Sequence, residues 1–212
     1  MLGHLALIAP ELQIQVEQLL GMEGKADTIQ PAVQPRKLDP SDALSLLKKA
    51  KPTLAGRKLG VLIADGFDSA VVKALRDAAK DEQAAIAIVA PKVGGATDSK
   101  GKLMAADFSL VGGPSVLFDA VAVVASEKGA ALLAADPAGV DWVSDAFAHF
   151  KVLGSTNGAQ ALLDKAAVEP DEAIVQISEA RSVTKFIALA KKGRYWAREL
   201  KQKKASETEQ IS

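Results

Sequence analysis

The sequence predicts an α/β fold: a flavodoxin-like, doubly wound sandwich with a mainly parallel sheet, preceded by an extended helical arm. Three observations carry that expectation. The apolar runs "KLGVLIA", "AAIAIVAP", "FDAVAVVAS", "KVLG" and "EAIVQI" recur between residues 56 and 177. Each is too short for a stable helix and apolar on every side, as strands covered on both faces are. Stretches of helical spacing separate most of them, and a helix is the usual crossover between parallel strands. The first 55 residues lack the strand pattern altogether.

Those residues, 1–55, read as an arm. In "APELQIQVEQLLG", Leu12, Val16 and Leu19 fall on one helical face, and Gly21 is a stop signal. Pro31, Pro35 and Pro40 then follow within ten residues, a density that predicts an extended linker. Ser41 or Asp42 is placed to cap a short helix through "DALSLLKKA". So little apolar surface builds no core of its own, and the arm is expected to lie on another domain or subunit.

Residues 56–200 make the predicted domain. "KLGVLIA" ends at "DGFD", where Asp68 or Ser69 caps a helix with the stripe Val71, Val72, Leu75, Ala78 and Ala79. "AAIAIVAP" is the second strand, stopped by Pro91. "GGATDSKGKLMAADFSL" reads as a small hairpin turning near Ser99 to Gly101. "FDAVAVVAS" is the most apolar run and belongs at the sheet centre. One or two helices follow through "GAALLAADPAGVDWVSDAFAHF", with Trp142, Val143, Ala146, Phe147 and Phe150 on one face. "KVLG", a helix in "AQALLDKA" and the strand "EAIVQI" complete the sheet. The last helix is expected through "SVTKFIALAKKGRYWARELKQ", with Val183, Phe186, Ile187 and Ala190 inward and Gly193 weakening its middle. Lys191, Lys192, Arg194 and Arg198 read as its solvated basic end. Residues 201–212 are a polar tail.

Composition narrows the partners. Lysine plus arginine equals aspartate plus glutamate, at 26 each, so no general attraction to nucleic acid or anionic membrane is expected. The absence of cysteine excludes disulfides, thiolate metal sites and a cysteine nucleophile. His4 and His149 are too few for a multi-histidine metal site. No apolar run approaches the ~20 residues of a membrane span, and "MLGHLALIAPELQ" lacks the pattern of a secretory leader. A cytoplasmic protein without a membrane partner is the expectation.

At "GRKLGVLIADG", "IVAPKVGG", "GGPSVLFDAVAVVAS" and "AFAHFKVLGSTNGAQALL" the sequence resembles the carboxy-terminal domain of large-subunit haem catalases. That domain belongs to the class I glutamine amidotransferase-like superfamily, beside the PfpI-type proteases. The likeness runs from about Leu2 to Arg198, and "GGPSVLFDAV" with "DAFAHFK" is its most specific part. The resemblance implies an isolated accessory domain whose arm joins it to a catalase core. It implies no cofactor in this chain and haem in a parent that dismutates hydrogen peroxide. The implied partners are the catalase core domain and the sister subunits of a homotetramer. Related stress proteins share the fold, which implies a chaperone-like capacity toward unfolded client proteins. No distal histidine–asparagine pair or proximal tyrosine motif is present, and Tyr195 falls in the last helix.

Reacting members of that superfamily place three parts on one rim: an acid after the first strand, a Gly-Gly oxyanion turn and a cysteine elbow. Here the acid position offers Asp65 and Asp68, and Asp68 is better placed as a helix cap. The oxyanion turn reads Ala125, Ser126, Glu127, where a carboxylate opposes developing negative charge. The elbow falls at "GSTNG", with Thr156 at the cysteine's position and Ser155 before it. A hydroxyl needs an adjacent base to attack, and His149 is a whole strand away. Ser155 or Thr156 is therefore expected to cap a helix from Gly158 to Ala166. Asp68, Ser126, Glu127, Ser155 and Thr156 are vestigial on this reading, with no catalytic, cofactor-binding or metal-binding residue in the chain. The competing reading is a residual hydrolase or peptidase using Ser155 or Thr156.

Overall fold

The amino-terminal residues form two consecutive helices, α1 (Leu2–Ile8) and α2 (Pro10–Leu19), parted at an extended Ala9 with φ −152° and ψ 91°. Pro10 causes the break, because its ring disfavours helical backbone in the residue before it. The spacing of Leu12, Val16 and Leu19 predicts α2, whereas α1 was not expected. Beyond α2 the chain turns back, and Glu17 accepts the backbone N–H of Gly24 and the side-chain amide of Gln13. The helix expected through residues 42–50 shrinks to one turn, α3 (Leu46–Lys49). The computed structural model describes residues 2–199 apart from 28, 35 and 37, so the polar tail lies outside the described residues. The chain divides into two compact units, residues 1–50 and 51–212.

In the second unit, β1 (Lys58–Ile63) shows how the sandwich arises. Leu59, Val61 and Ile63 enter one core, and Leu62 enters another on the opposite face, since successive strand side chains point to opposite sides. The strand is thereby buried on both faces, as its unbroken apolar run predicts. Around it lie β2 (Ala85–Ala90), β5 (Phe108–Ser109), β6 (Ala120–Val124), β7 (Leu153–Ser155) and β8 (Ile174–Gln176). Their order is β5-β2-β1-β6-β7-β8, and every pairing in this sheet is parallel. A separate antiparallel hairpin, β3 (Ala96–Thr97) with β4 (Leu103–Met104), turns through Ser99–Gly101 as expected. Asp98 closes that turn by accepting the N–H groups of Lys100 and Lys102. The Lys102 N–H, with the Ser69 hydroxyl next, holds its carboxyl below the usual range.

Two helices cover one face. α4 (Ser69–Asp81) buries Val71, Val72, Leu75 and Ala79, and α8 (Ala180–Ala190) buries Val183, Phe186, Ile187 and Ala190 beside it. α5 (Glu127–Ala135), α6 (Pro137–Ala148) and α7 (Gln160–Lys165) cover the other face. Asp136 ends α5 and caps α6, with Pro137 at the first helical position. That junction resolves one predicted stretch into two helices. β5, only two residues long, escaped the sequence reading because a pair of residues has no period to detect.

The last element departs most from expectation. α8 stops at Ala190, and Gly193 sits at φ +84°, a left-handed conformation that ends helices rather than weakening them. Residues 191–196 turn beyond α8, and residues 197–199 are helical again. Tyr195 N–H donates to Phe150 O, and Lys191 pairs with Glu82 at 2.8 Å. Arg198, read as solvated, is 2% exposed. Its guanidinium meets Asp171 through two nitrogens, donates to Phe147 O and Lys151 O, and stacks 4.2 Å over the Phe147 ring. Phe147 is accordingly half-buried against a cation, and Phe150 lies beyond the end of α6 at φ +59°.

Candidate functional site

The carboxyl ends of β1, β6 and β7 bring the loops "ADGFD", "ASEKG" and "STNG" to one rim. Between them lies a shallow crevice of about 300 Å³, lined by Gly66, Asp68, Ala125, Ser126, Thr156 and Gly158 among others. The topology therefore assembles the three parts that the sequence singled out.

The geometry of each side chain is closed on itself. Thr156 Oγ1 donates to Ala125 O at 2.9 Å and accepts Ala125 N–H at 3.1 Å. It clamps the end of β6 and does not cap the following helix, which corrects the sequence expectation. That helix also begins later, as a 3₁₀ turn at Asn157–Ala159 followed by α7. Ser155, 7% exposed, sits inside β7 between Val123 and Gln176 of the neighbouring strands, where it caps nothing. Ser126 Oγ donates to Asp65 O at 2.8 Å and accepts Gly129 N–H at 3.1 Å, so it caps α5. Asp68 caps α4 through Ala70 N–H at 2.8 Å. Glu127 is exposed as the first residue of α5.

The backbone differs from a reactive elbow as well. A nucleophile elbow holds its residue on a sharp, strained strand-to-helix turn, whereas Thr156 is relaxed and extended, with φ −77° and ψ 159°. Gly158 packs directly on the oxyanion turn. A Cβ there would lie 2.6 Å from Ala125 O and 2.9 Å from Glu127 N. Main chain thus packs closely against Ala125 and Glu127 on that side of the crevice.

His149 supplies no base. It caps the carboxyl end of α6, its Nδ1 engages Asp145 O at 2.8 Å, and it lies at the opposite end of β7 from Thr156. The histidines and tyrosine do not fit a haem site. His4 belongs to the other unit, and Tyr195 is tied by its backbone N–H to Phe150 O. No group of three His, Asp or Glu side chains among the described residues is placed to hold a metal ion. Among those residues no helix is long and apolar enough to cross a membrane.

The amino-terminal end of the sheet holds what the sequence reading missed. Lys151 is fully buried, and its ammonium donates to Ser115 O. Burial, then the charge of Arg194, lowers its pKa to about 8 against the opposing pull of Asp119 and Asp145. Trp142 Nε1 donates to Gly113 O at 2.8 Å and pins the same loop. A lone lysine before a strand gives no sequence signal of burial, because lysine at strand ends is usually solvated.

The sequence pattern of the C-terminal domain found in long catalases matches residues 55–199. Catalase C of Rhizobium meliloti is 41% identical over 202 residues, covering 94% of this chain and 29% of its own length. Catalase HPII of Pseudomonas aeruginosa is 31% identical over 193 residues, covering 91% and 27%. The chain thus spans less than a third of the curated relatives it matches. A DJ-1 superfamily protein from Salmonella typhimurium shares the fold, with a TM-score of 0.52 at 22% identity over 62% of this chain and 86% of that one.

Proposed function

The chain belongs to the family of C-terminal domains found in long catalases, and from that premise we propose that it is a non-catalytic accessory domain that supports subunit assembly and stability. The parent reaction is hydrogen peroxide dismutation at a haem held outside this chain. One observation carries the assembly role. Ile8, Leu19, Val33, Leu38, Leu44 and Leu46 of the first unit are each at least 80% exposed. A segment of some fifty residues with that much uncovered apolar surface calls for a partner surface, and the catalase core with its sister subunits is the partner the family supplies. The bonding inside the crevice supports the non-catalytic half, since the Thr156 and Ser126 hydroxyl protons are committed to carbonyl oxygens.

The test uses Catalase C of Rhizobium meliloti shorn of its own C-terminal domain. Adding this chain should give a co-eluting complex and lengthen the core's half-life on heating. No association and no protection would overturn the reading. The same exposed residues would bind unfolded clients when the chain is alone, and suppression of a thermolabile client's aggregation measures that. Hydrolysis through Ser155 or Thr156 has no observation in its favour. Any esterase activity that disappears in the Ser155→Ala, Thr156→Ala double variant would reinstate it.

A further inference from the structure

A second cleft on the same edge of the sheet shares no lining residue with the crevice above. It holds about 210 Å³, the share of about seven liquid water molecules. Ala64 and Asp65 reach it from the end of β1, Lys92 from the loop after β2, Ala96 from β3, and Leu133 and Asp136 from the end of α5. In doubly wound sheets ligands sit beyond the carboxyl ends of the strands, where the winding reverses. Here that reversal flanks β1, which has β2 on one side and β6 on the other.

Its two carboxylates are held in place by backbone. Asp65 Oδ1 accepts Thr97 N–H at 2.8 Å, while Gly66 N–H donates to Thr97 O at 2.7 Å. Asp136 Oδ1 accepts Ala138 N–H at 3.0 Å, ahead of Pro137 in the first turn of α6. One oxygen of each carboxylate is thereby fixed, and the other is uncommitted among the described residues. Lys92 is exposed and forms no ion pair among those residues, and its carbonyl accepts Gly95 N–H in a tight turn. Ala64, Ala96 and Leu133 supply a buried apolar wall. Two orienting acceptors, one cation and an apolar floor in a volume this small match few ligand classes.

We propose that this cleft binds a small zwitterion of amino-acid size, with its ammonium on Asp65 and Asp136, its carboxylate on Lys92 and its apolar side chain on the alanine–leucine wall. A simple amine would leave Lys92 idle, and a simple anion would face two carboxylates. The zwitterion pairs all three charges while burying its body. Binding is millimolar in scale, because exposed ion pairs are weak individually. It is independent of the assembly role and would make the domain responsive to small metabolites.

L-valine is the probe, titrated into the isotope-labelled chain while amide and methyl resonances are followed. Saturable shifts are expected at Ala64, Ala96 and Leu133. N-acetyl-L-valine, without the ammonium, and L-valinamide, without the carboxylate, should bind at least tenfold more weakly. Asp65→Asn keeps the acceptor for Thr97 and should weaken valine at least tenfold, as should Lys92→Met, with the remaining spectrum unchanged. No saturable shift at those three residues would overturn the proposal, and so would affinity indifferent to the caps or to both variants.

Discussion

Replacing Lys151 by methionine should stabilise the domain at neutral pH, the reverse of most core substitutions. Lys151 has no accessible surface, and burial lowers its pKa from an ordinary 10.5 to about 8. One unit of such displacement is worth about 1.4 kcal/mol, so carrying the charge inside opposes folding by about 3 kcal/mol. Methionine occupies similar volume without it. The lost hydrogen bond takes back about 1–2 kcal/mol, at the lower end because Ser115 O keeps the Phe118 N–H. A net gain of about 1–2 kcal/mol should raise the melting temperature by about 3–6 °C in a domain of this size. The pH dependence follows from linkage. Between about 8 and 10.5 the unfolded chain holds the lysine proton more tightly than the folded one, so wild-type stability climbs across that window. Below it both states are protonated and the full penalty applies. The variant lacks the slope, so the difference between the two proteins should close as pH rises. Tyr195, whose hydroxyl is pushed up by burial and then by Glu172, titrates in both and cancels. Thermal melts at about pH 7 and about pH 10 read both quantities. A variant that melts lower at neutral pH, or a gap constant with pH, would refute the reasoning.

Thr156→Val removes both bonds to Ala125 and strands its buried N–H and C=O; denaturant unfolding should report a loss of about 1–3 kcal/mol, largely restored by Thr156→Ser. Arg198→Ala leaves Asp171 buried without its partner and should destabilise by about 3–5 kcal/mol; adding Asp171→Ala should recover part of that loss in the same measurement. Gly158→Ala forces a methyl against Ala125 O and Glu127 N, an overpacking of about 1–3 kcal/mol that a melting curve detects.

Local pattern made the sheet legible. "KLGVLIA" and "FDAVAVVAS" are apolar on both faces because β1 and β6 are central strands covered by helices on each side. The site was legible in place but not in bonding. Spacing put Ser126 and Thr156 on one rim, yet whether Thr156 turns toward its own helix or toward Ala125 depends on a contact between residues 31 apart. Arg198 was misread for a related reason. A basic run at a helix end ordinarily faces water, and only Gly193's reversal and Asp171's carboxylate, 27 positions away, draw it inside. Long-range partners leave no periodic trace.

The relaxed turn at Thr156 bears on how the rim is joined as well as on its chemistry. A thiol placed at position 156 would inherit an unbent backbone and would weaken the two bonds that Thr156 makes to Ala125. The rim's three loops are thus fastened to one another through Thr156 and Ser126, so that a change in any one of them is felt by the others.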